Sequence, residues 1–321
     1  MQYETSSPTR PRQDLQGAYT ALNLADRGLV ADLVLPPLSV GEEAGVIPTI
    51  SREVYLQRIN TKRAPKASTS TADWASGTDS FSLTEYAHKG LVTERDARRF
   101  RSFFDAEEVE AKRVMEIIAT DREIDTAAAV FNTTTFGTAG VNRTTLAGGA
   151  EWDVAGGVPL TNVAAAKQAL VQNYGTKPNT LIIPYYVMSR LMTNTQFRNA
   201  FTGFFAGGLI PAEPSVEHLK AIFGLENVIV PFGIYNSANA GATPSYTPIW
   251  NEDYVMVCRI ESGADHRAPQ LGRTLQLDGN GVQFRSYEND DPEGVWIHGK
   301  HLLQPKIMPT PVGHLITNVK A

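Results

Sequence analysis

Residues 105–131 read DAEEVEAKRVMEIIATDREIDTAAAVF, the longest stretch of the chain that lacks proline and glycine and keeps a helical period. Val114, Ile117, Ile118, Ile124, Ala128 and Phe131 fall on one stripe of a helix with about 3.6 residues per turn. Asp121 interrupts that stripe at its middle. The start carries its own signals. Asp105 is placed as N-cap, with Glu108 three residues on to complete a capping box. Phe104 and Val109 are spaced to form a hydrophobic staple across it. Glu107, Glu108 and Glu110 put negative charge at the positive end of the helix dipole. Beyond Phe131, the run from Asn132 to Gly137 removes helix propensity. The spacing therefore predicts a helix roughly 40 Å long. A helix of that length is a strut, and something must lie along it.

The 321 residues suit one large domain or two medium ones. With 42% hydrophobic and 20% charged residues, the composition is that of a globular protein with a sizeable core. A net charge of −5 argues against a dedicated nucleic-acid binder. The one cysteine, Cys258, excludes an internal disulfide. No apolar run reaches the ~20 residues needed to cross a bilayer, and the polar start lacks the apolar core of a signal peptide. The protein is expected to be made and used without crossing a membrane.

N-terminal to the strut, residues 1–28 read as an extended arm. Pro36 and Pro37 then stop any helix, and residues 38–40 read as extended. Residues 46–98 form an excursion with little to bury. A β-like piece, 53–59, leads into NTKRAPKASTSTA (60–72), and an extended piece returns through 80–92. An isolated hairpin is marginal in water, so this one must lie on other structure, in this chain or another copy. The charged run 94–101 leads into the strut and reads either as a solvated turn or as an intersubunit ion-pair segment.

C-terminal to the strut, a helix is expected over 160–174, stopped by Gly175, then a buried strand at 179–183 and a short helix over 185–193. Residues 197–208 are aromatic and glycine-rich and read as a loop. A helix at 215–223, a strand at 227–230 and a surface loop at 234–248 follow. This order makes a compact α/β lobe. From 271 onward the pattern is β. The strands 272–277 and 282–287 are expected to pair through a turn at 278–281, with a second turn at 289–294 and further strands at 295–303 and 314–317.

Catalytic constellations are missing from this pattern. The sequence has no Walker loop, dinucleotide fingerprint, zinc-protease helix motif or nucleophile elbow. His298 and His301 are spaced to face opposite sides of a strand, and His266 has a carboxylate neighbour but no nucleophile in a recognisable turn. No cofactor or metal is expected. The remaining parts, an arm, an unsupported hairpin and a strut, make sense when neighbouring copies supply contacts. The residues thus point to a self-assembling structural protein.

In order and spacing these parts resemble the major capsid proteins of tailed bacteriophages, whose shell fold is shared with encapsulins and the floor of herpesvirus capsids. The resemblance spans nearly the whole chain. It is carried by VLPPLSV (34–40), the loop before Trp74 and Tyr86, the strut, EWD (151–153), PNTLII (178–183), HLKAIFG (218–224), VIV (228–230), Ile249–Trp250 and the strands of 272–287. It implies an α+β fold with an N-terminal arm (1–45), an extended loop (46–98), a peripheral domain (99–154 and 266–321) whose spine is the helix 105–131, and an α/β axial domain (155–265). It also implies self-assembly through pentamers and hexamers into an icosahedral head enclosing double-stranded DNA. The location implied is the virion capsid, after synthesis in the host cytoplasm. Implied partners are a separate scaffolding protein, a portal protein, a decoration protein and non-specific contact with the packaged DNA, with no membrane. Expected intersubunit contacts are Arg58, Lys62, Arg63, Trp74, Phe81, Tyr86, Arg98, Arg99 and Arg101. An encapsulin-type compartment is the alternative. A reading from another class, an α/β enzyme using His266 or His298, predicts a deep pocket around one of those histidines.

Overall fold

The computed structural model describes residues 10–11, 27–50, 52–65, 68–71, 76–100, 104–138, 140–204, 211–239, 241–263, 269–277 and 282–321. In chain order the elements are β1 (Arg10–Pro11), α1 (Ala31–Val34), β2 (Pro37–Val40), β3 (Ala44–Ile50), α2 (Arg52–Tyr55), β4 (Ser76–Ser82), β5 (Thr84–Thr93), α3 (Glu94–Phe100) and α4 (Ala106–Val130). Then come β6 (Arg143–Thr145), α5 (Pro159–Tyr174), β7 (Thr180–Ile182), α6 (Tyr185–Arg190), α7 (Thr195–Phe204), α8 (Val216–Phe223), β8 (Asn227–Ile229), β9 (Ile234–Asn236) and β10 (Tyr246–Pro248). The chain closes with β11 (Tyr254–Cys258), β12 (Gly272–Leu277), β13 (Gln283–Asp290), β14 (Glu293–Ile307) and β15 (Gly313–Thr317).

The strut is α4, 25 residues long. Asp105 is its N-cap, accepting from the Glu107 N–H at 2.9 Å. Glu108 does not complete a capping box; it pairs with Lys112 at 2.7 Å, at favourable i,i+4 spacing. The expected staple is also replaced. Phe104 stacks on Phe100 with centroids 5.0 Å apart, and Phe104 and Val109 both stay exposed. At the other end, Asn132 Oδ1 accepts from the Thr134 and Thr135 N–H groups and turns the chain away.

The buried face of α4 differs from the expected stripe. Ala111, Val114, Met115, Ile118, Ala119, Arg122, Glu123, Thr126, Ala127 and Val130 are buried, while Ile117 is 40% exposed and Ala128 is exposed. Asp121 is exposed, as a break requires, but the stripe continues one residue later through a charged pair.

Two sheets share the core. The first runs β1-β13-β14-β12-β2, with β5 also on β14; the second runs β6-β15-β11-β7-β8. The first half of α4 packs on the first sheet, where Val114, Met115 and Ile118 meet Phe284, Ile297 and Leu303. Gly299 permits that approach: a Cβ there would stand 2.9 Å from Val114 Cγ1. The second half of α4 (Ala127, Val130) and Phe131 join Val34 and Leu35 of the arm side to Trp250, Met256 and Leu315. Beyond the second sheet, α5, α7 and α8 close a further core around Trp152, Leu170, Phe197, Phe201 and Phe223. Fully burying each such side chain contributes about 1.5–3 kcal/mol.

Several expected elements are rearranged. Residues 53–59 are not a strand. The described β3–β4 ladder runs as far as the pair Ile50–Ser76, and α2 follows it over Arg52–Tyr55. The piece returning over 80–92 is divided: β4 completes the ribbon, and β5 leaves it to pair with β14 over ten residues. Residues 195–204 are a helix, not a loop. Asn194 Oδ1 accepts from the Phe197 N–H at 3.0 Å, and Phe197 and Phe201, one turn apart, stack with centroids 5.9 Å apart. The segment 234–248 holds the small β9–β10 hairpin. β12 and β13 do not pair, because both lie along the same edge of the 15-residue β14, β13 on its first half and β12 on its last residues, and the turn expected at 278–281 lies outside the described residues. The turn at 289–294 does close β13 onto β14. β15, within the segment grouped with the strut, pairs with β11 in the second sheet.

Candidate functional site

Among the described residues, the arm side, the strut and the segment before β11 meet at the pair Arg122–Glu123 on α4. Glu123 Oε1 accepts from the Val30 N–H at 2.9 Å and from Trp250 Nε1–H at 2.6 Å, and Oε2 accepts from the Ala31 N–H at 2.8 Å. The side chain is 1% exposed. Burial pushes its carboxyl above the usual range, opposed by those three hydrogen bonds and by Arg122. Arg122 Nη2 pairs with Asp32 of α1 at 2.7 Å. One turn on, Asp125 accepts from the Tyr86 hydroxyl at 2.5 Å, tying β5 to the same helix. The junction holds donors, acceptors and ion pairs in a fixed geometry and has no nucleophile or paired base. Its chemistry is mechanical.

His301 of β14 lies beside this junction, and its Nε2 has no hydrogen-bond partner among the described residues. Burial first, then the neighbouring Arg122, pulls its pKa from the usual 6.5 down to about 4. A depressed value means the unfolded chain takes up a proton first as pH falls. The contribution of neutral His301 is present above about pH 6.5 and is lost toward pH 4. That amounts to about 3 kcal/mol across the window. His301→Leu is therefore expected to flatten the loss of stability between pH 7 and pH 4.5, read from urea midpoints at each pH. An unchanged slope would show that other groups govern it.

The expected contact residues divide into four groups. Arg58, Lys62 and Arg63 are exposed on the irregular tract beyond the ribbon, with Arg63 Nη1 donating to Thr69 Oγ1 at 3.5 Å. Arg98 pairs with Glu94, and the Arg99 guanidinium lies 5.4 Å from the centre of the Phe100 ring. Trp74 and Arg101 lie outside the described residues. Phe81 and Tyr86 are buried within their own chain, Phe81 against Ile47 and Leu275, Tyr86 under α4. Alternation along a strand shows that one face is buried but not whose core buries it. Glu123 and Arg122 went unforeseen, since charged residues beside a helix break read as solvated.

His298 sits on the sheet face opposite α4, and His301 beneath it, as their odd spacing requires. His266 lies outside the described residues. Among the described residues no group of three His, Cys, Asp or Glu side chains is placed to hold a metal ion, and no helix is long and apolar enough to cross a membrane.

No family model matches the chain. It is 24% identical over 304 residues to the major capsid protein of Burkholderia phage BcepMu, an alignment covering 93% of this chain and 94% of that one. Among solved structures, a phage-related protein of Bordetella bronchiseptica RB50 superposes with a TM-score of 0.76 at 18% identity, over 97% of this chain and 98% of that one. A chain from the capsid of cyanophage P-SCSP1u superposes with a TM-score of 0.60 at 11% identity, over 88% of this chain and 86% of that one. The fold is shared with both.

Proposed function

We propose that this chain is the major capsid protein of a tailed bacteriophage, a structural protein that assembles into the virion head around double-stranded DNA. The observation that carries this reading is the end-to-end likeness to a major capsid protein, 93% of one chain against 94% of the other. Such coverage leaves little of either chain for an unrelated activity. The parts support it physically. A 25-residue strut suits the spine of a peripheral domain, β7, β8 and β11 with α5, α7 and α8 suit an axial domain, and the β3–β4 ribbon leads into an exposed tract with Arg58, Lys62 and Arg63. In this reading residues 1–45 are the arm, 46–98 the loop laid over an adjacent copy, 99–154 with 266–321 the peripheral domain and 155–265 the axial domain.

Axial lobes meet around five-fold and six-fold axes, and arms and loops tie neighbouring capsomers. Individually weak contacts become strong together once the shell closes. A separate scaffolding protein, a portal and a decoration protein complete the set of partners, and contact with the packaged DNA is non-specific. The test is the particle mass of the expressed protein by sedimentation and negative-stain microscopy. Shells or capsomers are expected; a 35 kDa monomer at high concentration overturns the reading. Deleting residues 60–72 is expected to leave the subunit folded, with an unfolding free energy from urea titration within about 0.5 kcal/mol of wild type, and to stop assembly. Loss of the folded subunit would instead place that tract in the core.

A further inference from the structure

The first sheet has α4 on one side. On the other, among the described residues, the β3–β4 ribbon covers the β12 end, where Ile47 and Phe81 meet Leu275 and Lys306 pairs with Asp79 at 2.9 Å. The rest of that face, on β5, β14 and β13, carries a patterned surface. Register sets Lys89, His298 and Arg285 side by side across the three strands. The next row on the same face is Leu91, Trp296 and Tyr287; the row on the other side holds Lys300 between Ala87 and Gln283. With strands about 4.8 Å apart, the patch is roughly 10 Å wide and, over three rows, about 14 Å long.

Its chemistry is cationic and aromatic. The Tyr287 and Trp296 rings stack with centroids 6.4 Å apart, and Lys89 Nζ stands 4.5 Å from the Trp296 centroid. Glu85 is the carboxylate at its margin, 3.4 Å from Lys300. Burial first, and then Lys300, Arg285 and Lys89 against the opposing Glu85, lowers the pKa of His298. In a chain of net charge −5, this is a local inversion of sign.

Further along the same hairpin the charge inverts again. Glu288, Asp290, Asp291 and Glu293 crowd its tip, all exposed, with no cation between 288 and 293. Asp290 and Glu293 are paired directly across the strands, an arrangement that destabilises an isolated hairpin. A cationic surface laid against the tip would relieve that repulsion. Pro292 at the tip offers an apolar surface of the kind that packs on an aromatic ring.

We propose that the acidic β13–β14 tip of one copy seats on the basic, aromatic sheet face of the next copy. This rests on the shell reading and names one of its contacts. Tip and seat lie on one element about 17 Å apart, five residues at strand rise, so a single copy cannot satisfy its own seat. The contact is heterologous, and closes into a ring or shell when the rotation allows. A nucleic-acid backbone is the poorer occupant, because a continuous run of phosphates would cross the carboxylates of the tip beside the patch.

The test is a charge swap in the full chain. Lys89→Glu with Arg285→Glu is expected to keep the circular-dichroism spectrum and urea midpoint of wild type while particle yield falls about tenfold or more. Asp290→Lys with Glu293→Lys is expected to do the same. All four substitutions together are expected to restore particles. Wild-type yield from either reversed pair overturns the contact, as does failure of the four-site variant to regain particles. Patch-reversed shells that form normally but hold less DNA would assign the face to nucleic acid and also overturn it. A wild-type chain that never assembles overturns the shell reading and the contact together, whereas reversed pairs that assemble beside an assembling wild type overturn the contact alone.

Discussion

Ile118→Pro is expected to leave no folded subunit, and hence no particles. Proline in a helix interior costs about 3 kcal/mol or more, because it removes one hydrogen bond and its ring clashes with the preceding turn. Residue 118 lies well inside α4, thirteen residues from the Asp105 cap, so neither end can absorb the kink. Its side chain is also 4% exposed, packed in the cluster with Phe284, Ile297 and Leu303, and truncating a buried isoleucine costs about 2–5 kcal/mol. The two terms exceed or match the 5–15 kcal/mol stability of an ordinary domain at its lower end. A bend at 118 would also misplace everything downstream on the same helix, including Glu123. Far-ultraviolet circular dichroism and sedimentation read the outcome. A soluble variant with native ellipticity and a cooperative urea transition would show that the two sheets hold without a continuous strut. The control is Ile117→Pro on the exposed side of the same turn, which keeps the core contact and loses only the backbone term. Its smaller deficit separates packing from helix breakage.

What could be read in the sequence followed from locality. The extent of α4 was legible because cap, charge and period lie within the segment itself; its ends agree with the expectation to one residue. Its inward face was not. Ile117, Ile124 and Ala128 seemed part of the natural stripe, and Arg122 and Glu123 were not placed on it. The partners that bury those two, Val30, Ala31, Asp32 and Trp250, lie 90 to 127 positions away, and no window of sequence contains them. Helix α7 was masked by the glycines around it, although the i,i+4 spacing of Phe197 and Phe201 was a usable signal. The pairing of β12 with β13 was expected because sequence neighbours usually pair. The length of β14 defeated that rule: its first half pairs with β13 and its last residues with β12. Phe81 and Tyr86 were assigned outward for the same reason. Composition shows that aromatics must be covered, and only the fold shows that Leu275 and α4 cover them.

Glu123→Ala is expected to destabilise the subunit by about 3–5 kcal/mol, the largest effect of any single side-chain truncation at the junction. The substitution removes one acceptor and strands three buried donors: the Val30 and Ala31 N–H groups and Trp250 Nε1–H. Each unsatisfied buried donor costs about 1–3 kcal/mol, and relief of the carboxylate's own burial cost returns part of the sum. Arg122 keeps its partner Asp32, so the loss is not a general collapse of charge pairing. Glu123→Gln discriminates. Its carbonyl can still accept from Val30 and Trp250 at the Oε1 position, but its amide would point a donor at the Ala31 N–H. An intermediate loss of about 1–3 kcal/mol is expected. Urea midpoints give the magnitudes, and the emission of Trp250, 2% exposed in the wild type, reports whether its ring is still held. A loss below about 1 kcal/mol for the alanine variant would mean that water replaces the carboxylate, and that the arm's entry is not fixed at this point. The expected result has a consequence for assembly. Val30 and Ala31 lie in the segment 1–45 read as the arm, and Glu123 holds those two amides. Under mild denaturant, where the subunit survives, the glutamine variant should assemble less completely than its stability alone accounts for.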